Sequence, residues 1–392
     1  MTPRVLASGK LKATIPAKAL AAALQSAAAI VPARNTIPIL SNMLVETRKA
    51  PGGEGHLVVT STDLDLSVTL TVPAEVEEDA AITAPAQILS DALKKAPKDA
   101  TATLAEKGTD LVVKYGRARF KLQTLPASDF PTLGTPLAPI PQVESGKTSF
   151  ALAADAFIGL LDAVEMAISS EETRYYLCGV YLHRKGDKLR AVATNGHVLS
   201  LRDVDAPDGT EGMLGVILPR TLVKTARSLW GQSKEELAIS VDKSRISIAG
   251  GGIALTSKLI DGTFPDYLRV VPGEGASGFK VPPSAFADAI ERVMIMADGK
   301  ARSVKLAMEG GALSLSARGE GANAAAEALD GAEADAIADG YAIGFNARYA
   351  LDALRSLPGD AVEVRMSSPG DPMLWRNPAE AGALWVVMPL RV

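Results

Sequence analysis

One short phrase recurs six times along the chain, and that recurrence limits the fold more than any other feature. The first copy is Thr14-Ile-Pro-Ala-Lys-Ala-Leu-Ala-Ala-Ala-Leu24: strand-like residues, a Pro, then apolar residues about four and eight places on. Pro suits the first turn of a helix, where its missing N–H would have no partner. A four-residue apolar spacing lines one helical face. The second copy matches at Thr14/Thr83, Pro16/Pro85, Ala17/Ala86, Leu20/Leu89 and Leu24/Leu93. Later copies open at Phe150, Ile217, Phe279 and Gly344, the last with Asn346 in place of Pro. The residue before the Pro position falls at 15, 84, 152, 218, 281 and 345, so the spacings are 69, 68, 66, 63 and 64 residues. A near-constant period along the whole chain marks a repeat architecture.

Short strand patterns follow each copy. In the first unit a helix to about Val31 precedes strands at 37–46, 55–61 and 64–73. Residues 64–72 alternate strictly, as a half-buried strand does. The second unit repeats the order, with a helix over 87–95 and strands near 101–104, 110–115 and 117–124, Gly116 turning the last hairpin. Pro- and Gly-rich stretches at 131–141 and 272–278 are linker candidates, each preceded by a similar phrase (125–131 and 259–265). The units therefore group in pairs into three similar domains, 1–142, 143–273 and 274–392, each of two βαβββ units. Successive short strands after each helix imply antiparallel sheets, hence the α+β class, with helices covering one sheet face.

Composition narrows the function. The net charge of −4 argues against a purely electrostatic nucleic-acid binder, though not against a locally basic surface. Bases concentrate on helices: Lys94, Lys95 and Lys98 on the second, Arg220, Lys224 and Arg227 on the fourth, Arg292, Arg348 and Arg355 on the last two. The third helix carries Asp155, Asp162 and Glu165 and no base. A single Cys178 allows no internal disulfide, which points to a reducing, cytoplasmic compartment. Residues 1–10 read as a loose leader. Lys10, Lys12 and Lys18 ahead of an Ala-rich run imitate a secretion signal, but the same pattern recurs downstream, so it is read as mature structure. No apolar run reaches the ~18–20 residues of a membrane helix.

Catalytic patterns are missing. Gly146-Lys147-Thr148 resembles the end of a phosphate-binding loop, but Pro141 stands where that loop needs Gly. Asp63 and Asp65 could ligate a metal on one strand face; without a nearby His or third carboxylate, turn polarity is the better reading. Asn195-Gly196 signals a hairpin, which makes His197 a turn or groove residue rather than a base. No catalytic residue, metal site or cofactor is expected.

Several phrases together resemble one family. They are Thr36-Ile-Pro-Ile-Leu40, Ser61-Thr-Asp-Leu-Asp65, Arg119-Phe120, Thr124-Leu-Pro-Ala-Ser-Asp-Phe-Pro131, Arg174-Tyr-Tyr-Leu177, Ala193-Thr-Asn-Gly-His197, Thr256-Ser-Lys-Leu-Ile-Asp-Gly262, Phe264-Pro-Asp-Tyr267 and Val386-Val-Met-Pro-Leu-Arg391. In this order, over residues 11 to 392, the chain resembles the bacterial sliding clamps, the beta subunits of DNA polymerase III. The resemblance implies a head-to-tail homodimeric ring whose helices line a central hole threaded by duplex DNA. Such a ring is a non-enzymatic processivity factor that holds DNA by topology, without base contacts. Its implied partners are the DNA polymerase III alpha subunit, the clamp loader, and repair and translesion polymerases, ligase and mismatch-repair proteins. These present a short Gln- and Leu/Phe-containing motif; no membrane is involved. The alternatives are a peptide scaffold that does not encircle DNA, which the acidic third helix would favour, and a metal-dependent enzyme at Asp63 and Asp65.

Residue by residue, the resemblance implies three sites. The partner-peptide cleft would comprise Arg174, Tyr176, Leu177, Thr194, Gly196, His197, Val198, Leu199, Pro265, Arg269, Val270, Asn346, Tyr349, Val386, Met388, Pro389, Leu390 and Arg391. Val198 stands where the family carries Arg. The DNA-facing set would be Arg34, Tyr175 and Tyr176, with the helix bases Lys94, Lys95, Arg220, Lys224 and Arg227. Glu171 stands beside it where a neutral polar residue is usual. The ring interface would set Phe120 and Leu122 against Ile295 and Met296.

Overall fold

In the computed structural model the six strand-to-helix junctions fall where the repeat puts them. The structure describes residues 9–32, 36–49, 55–131, 148–273, 277–297, 299, 302–357 and 359–391. Arg34, Gly146, Lys147, residues 1–8 of the leader, 132–141 of the first linker and 274–276 of the second lie outside them. The first unit runs β1 (Lys12–Pro16), α1 (Ala17–Ala28), β2 (Asn42–Lys49), β3 (Gly55–Thr62), β4 (Leu66–Val76). The second is β5 (Ala80–Pro85), α2 (Ala86–Lys94), β6 (Thr101–Lys107), β7 (Asp110–Tyr115), β8 (Ala118–Gln123). The third is β9 (Thr148–Ala153), α3 (Ala154–Glu165), β10 (Gly179–Lys185), β11 (Lys188–Thr194), β12 (Val198–Asp205). The fourth is β13 (Val216–Pro219), α4 (Arg220–Trp230), β14 (Glu236–Val241), β15 (Arg245–Gly250), β16 (Ile253–Lys258). The fifth adds a strand: β17 (Ser277–Val281), α5 (Pro283–Val293), β18 (Ser303–Glu309), β19 (Ala312–Arg318), β20 (Ala324–Ala328), β21 (Glu333–Asp335). The sixth is β22 (Ala342–Asn346), α6 (Ala347–Ser356), β23 (Val362–Met366), β24 (Met373–Arg376), β25 (Ala383–Val387).

Pro sits one place earlier than a first-turn position. Pro16, Pro85 and Pro282 are the capping residues before α1, α2 and α5, with φ between −60° and −57° and ψ between 114° and 129°. The ring's fixed φ fits the extended last residue of a strand, and the helix starts at the next residue. Asn346 at the sixth junction does what Pro cannot: its Oδ1 accepts from the N–H groups of Arg348 (2.9 Å) and Tyr349 (3.4 Å). The first helix ends at Ala28 rather than Val31, because Pro32 disfavours helical geometry at the residue before it. Its inner face is Ala17, Leu20, Ala23, Leu24, Ala27 and Ala28, the expected helical spacing.

Two compact units divide the chain. One holds Met1–Asp155 and Lys224–Leu259, the other Ala156–Val223 and Ile260–Val392. The first carries a sheet in the order β8-β7-β6-β1-β4-β16-β15-β14-β9, with β2, β3 and β5 attached beside that path. The second carries a sheet ordered β13-β10-β11-β12-β25-β24-β23-β17-β21 and a smaller one, β20-β19-β18-β22. All pairings among the described strands are antiparallel, as the α+β reading requires. Different repeat pairs are stitched inside each unit by one strand contact: Val68 opposite Leu255 in the first, Leu199 opposite Val386 in the second.

One strand departs from its alternating sequence. Leu66 through Leu70 of β4 are all buried, not every second residue. β4 is an interior strand, paired over this stretch with β3 on one edge and β16 on the other, and α1 packs against it. The alternating polar residues are small hydroxyls that find partners: Ser67 Oγ donates to Ser61 O (3.2 Å), and Thr69 Oγ1 lies 3.1 Å from Thr60 Oγ1.

Candidate partner-peptide cleft

The eighteen cleft residues all fall within the second compact unit. Pairing of β12 with β25 sets Leu199 beside Val386. These two join Leu177, Val192, Leu201, Ile217, Phe264, Tyr267 and Leu374 in one buried cluster, with Tyr176 packed against it. Above this floor the chain leaves apolar side chains in solvent: Val270 is 45% exposed, Leu268 45% and Met388 37%. A buried apolar floor with exposed apolar edges and polar groups around them has the character of a binding groove.

The polar edge is built by local hydrogen bonds. Asn195 Oδ1 accepts from the backbone N–H groups of His197 (2.9 Å) and Val198 (3.0 Å), and Thr194 Oγ1 donates to Val198 O (2.6 Å). Gly196 takes the turn position with φ +87°, a geometry that side-chain-bearing residues avoid. Asn195 Nδ2 donates to Tyr349 Oη (3.4 Å), and the Tyr349 ring lies nearly parallel to His197 at 6.4 Å. The C-terminal segment is tied to the same turn, since Met388 N donates to His197 O (2.9 Å) and Leu390 N to Gly344 O (2.8 Å). Arg174 closes this side: its Nε donates to Glu171 Oε2 (2.9 Å) and its Nη2 to Asn195 O (3.3 Å). Pro265, Arg269 and Arg391 are exposed, and Pro389 is half-buried. Val198 is buried, so at this position the chain contributes core and not rim.

Six residues under the groove were given no site role by the sequence. Tyr181 stacks on Phe264 with centroids 4.8 Å apart and planes 5° apart, and on His183 at 4.7 Å. His183 Nε2 meets Tyr267 Oη at 3.1 Å, and Arg190 Nη1 donates to the same oxygen at 3.3 Å. Arg190 in turn grips Asp203 through two bonds of 2.7 Å. Phe264 and Tyr267 begin the segment that supplies Pro265, Arg269 and Val270, so this brace positions one wall of the groove. Burial pushes the His183 imidazole below its usual pKa, while the bond to Asp203 raises that of Arg190. Tyr181 and His183 lie two apart on β10, so strand period alone could have placed them on one face.

The other expected sites divide. Lys94, Lys95 and Lys224 are exposed. Arg220 and Arg227 are half-buried, and Arg220 Nη2 donates to the carbonyls of Ile168 (2.6 Å) and Ser169 (3.4 Å), so its guanidinium serves the backbone. Tyr175 is exposed and Tyr176 half-buried, edge-on to each other at 5.7 Å. On the acidic third helix Glu165 is buried, so the exposed face is less negative than the sequence suggests. Ile295 is 70% exposed and Met296 38%. Phe120 is half-buried against Tyr115, and Leu122 belongs to the core of its own unit. Asp63 is a turn residue: its Oδ1 accepts from the N–H groups of Asp65 (2.9 Å) and Leu66 (2.7 Å). Asp65 pairs with Lys258 at 2.8 Å. Among the described residues no three His, Cys, Asp or Glu are placed to hold a metal, and no helix is long and apolar enough to cross a membrane.

Family comparisons match this architecture from end to end. The N-terminal, central and C-terminal domains of the DNA polymerase III beta subunit match residues 11–134, 151–266 and 268–391 in turn. The chain belongs to the DNA polymerase III beta-subunit family. It is similar to the beta sliding clamp of Caulobacter vibrioides, 40% identical over 389 residues covering 97% of this chain and 100% of the relative. The Pseudomonas aeruginosa beta sliding clamp is 32% identical over 381 residues, covering 97% and 99%. Among solved structures, the C. crescentus beta sliding clamp, with polyethylene glycol bound to its proposed beta-motif tethering region, superposes with a TM-score of 0.89 at 40% identity, covering 98% of this chain and all of that one. The Bartonella birtlesii sliding clamp bound to griselimycin gives 0.88 at 36% identity over the same shares. The chain is thus a DNA sliding clamp built from three clamp domains, a non-catalytic subunit rather than an enzyme.

Proposed function

We propose that two copies of this chain close head to tail into a ring that encircles duplex DNA and slides on it. The groove of the second unit then tethers partners by short Gln- and Leu/Phe-containing peptides. The domains run 1–142, 143–273 and 274–392, with bases on the helices facing the hole. The observation that carries the tethering role is the β12–β25 pairing, which sets a buried apolar floor below the exposed Val270, Leu268 and Met388. Partners of this chemistry include the DNA polymerase III alpha subunit, the clamp loader, and repair polymerases, ligase and mismatch-repair proteins, in the cytoplasm.

Ring closure is supported by two strands that end their sheets among the described residues. β8 ends the sheet of the first unit and β20 ends the smaller sheet of the second, and each has a strand neighbour on one edge only among the described residues. Phe120 belongs to β8, and the exposed Ile295 and Met296 are apolar groups that a partner copy would cover. Lys94, Lys95 and Lys224 supply modest positive charge without base-reading geometry, as a sliding contact needs.

The test is topological. The protein is loaded on a nicked circular duplex with a clamp loader and ATP, freed of excess by gel filtration, and the circle is cut once. Retention on the circle and loss after cutting is the expected result. Retention on the linear duplex with free ends would mean that direct contact holds the DNA, and failure to load would favour a scaffold that never encircles it.

A further inference from the structure

We infer that Glu171 is a built-in competitor for Arg174, setting how well the groove accepts peptides that carry a carboxylate. This rests on the peptide-groove reading above. Arg174 stands in the same short turn (Glu172–Leu177) as the floor residue Leu177. Its planar fork is the side chain best shaped to take a carboxylate in two bonds. That fork is already engaged: Nε and Nη2 both reach Glu171 Oε2, the first at 2.9 Å.

Glu171 is held ready by its surroundings. Thr173 Oγ1 donates to Glu171 Oε1 at 2.8 Å, and Glu171 N donates to Ser169 Oγ at 3.1 Å. Arg174 N donates to Glu171 O at 3.1 Å, closing the loop that delivers the carboxylate. On the far side, the bare Cα of Gly196 leaves room for the guanidinium; a Cβ there would lie 2.9 Å from Arg174 Nη1. The hydrogen bonds from Thr173 and Arg174 hold the Glu171 carboxyl below its ordinary pKa, so it is charged at neutral pH.

Both partners are substantially exposed, 37% for the Arg174 side chain and 52% for Glu171. An exposed pair of this kind contributes little, so an incoming carboxylate can displace Glu171. Displacement exchanges one ion pair for another and leaves Glu171 negative beside the newcomer. A peptide with a carboxylate near Arg174 is therefore disfavoured relative to its amide twin, and removing the Glu171 charge lifts that penalty.

The probe is a set of fluorescent Gln- and Leu/Phe-containing peptides, amidated at the C-terminus. Each carries Asp or Asn in turn at a position not occupied by Gln, Leu or Phe. Affinities for the full chain are read by anisotropy as the Asp-to-Asn ratio. Glu171→Gln should raise that ratio about two- to fivefold for at least one position, less at high salt. In an Arg174→Gln background the same change should have no such effect, because the competition acts through Arg174. An unmoved ratio at every position, or an equal rise without Arg174, overturns the inference while the groove stands. If no peptide binds either protein, the groove reading falls and takes this inference with it.

Discussion

Replacing Tyr267 with Phe should loosen the wall of the groove that carries Val270. The change removes one oxygen and keeps the ring, so the stack of Tyr181 on Phe264 is untouched. Arg190 can only donate, so the Tyr267 hydroxyl accepts from Arg190 and gives its own hydrogen to His183 Nε2; Nδ1 then donates to Arg184 O at 3.1 Å. Two bonds are lost, each contributing about 0.5–1.5 kcal/mol net, for a total of about 1–3 kcal/mol. In a unit of this size each kcal/mol moves a melting midpoint by ~2–4 °C, so the unit holding the groove should melt roughly 2–12 °C lower. Calorimetry reads the midpoint, hydrogen exchange over 264–271 reads the local loosening, and peptide anisotropy reads the consequence. A midpoint within one degree of wild type, with exchange and affinity unchanged, would refute the brace.

The same brace predicts a pH dependence. His183 is pushed down chiefly by burial and by the facing Arg190 and the neighbouring Lys185, while the Arg184 carbonyl and Asp203 pull the other way. Its folded pKa is thus lower than its unfolded value of about 6.5. Between those two values the unfolded state binds the extra proton, so the contribution of His183 to stability is fully present above about pH 6.5. It is lost as pH falls through that window, with a slope of at most ~1.4 kcal/mol per pH unit. Wild type should lose stability from pH 7 toward 5 more steeply than His183→Gln, measured as urea midpoints at each pH; parallel curves would contradict the assignment.

Further outcomes follow from single features. Gly196→Ala forces a Cβ into a φ of +87° and against Arg174 Nη1, so it should cost about 1–2 kcal/mol and lower peptide affinity; unfolding and anisotropy check both. Ile295→Asp with Met296→Asp should shift sedimentation toward monomer while the monomer keeps the folded circular-dichroism spectrum at 25 °C, since both side chains are exposed in the single chain. Reversing Lys94, Lys95 and Lys224 to Glu should lower the yield of loading onto circular DNA while peptide binding persists; an undiminished yield would show that other groups line the path of the DNA.

The fold was legible because its grammar is local and repeated. Six junctions could be numbered from Pro16, Pro85, Pro219, Pro282, Asn346 and the Ala153 variant, and the succession of helix and short strands in each unit followed from period. What escaped was nonlocal. Nothing in the residues around Leu199 says that it pairs with Val386, 187 positions on, yet that register makes the floor of the groove. Val198 could be flagged as a departure but not placed, since its burial depends on that same pairing. Glu171 drew notice for its charge beside the DNA-facing set; only the turn geometry shows that the charge is spent on Arg174. Arg220 reads from its helix position as a DNA-facing base, whereas its bond to Ile168 O ties the guanidinium to the backbone.

A ring that holds DNA by topology sets the physics of its groove. If the proposed partners share this groove they must take turns, and a groove that bound tightly would stall the exchange. A modest affinity would follow from a limited apolar contact: Val270 and Met388 are exposed, while the floor already fills its own core. Loose walls would be the wrong way to weaken it, because ordering them at each encounter would cost rotamer and loop entropy and blur selectivity. The structure takes the other route. Its walls are braced from beneath by the Tyr181–His183–Tyr267–Arg190–Asp203 network, and the charged corner is pre-filled by Glu171. On this argument Tyr267→Phe and Glu171→Gln should move acidic-peptide affinity in opposite directions, the first down and the second up. Equal signs would mean that the two features share one structural role.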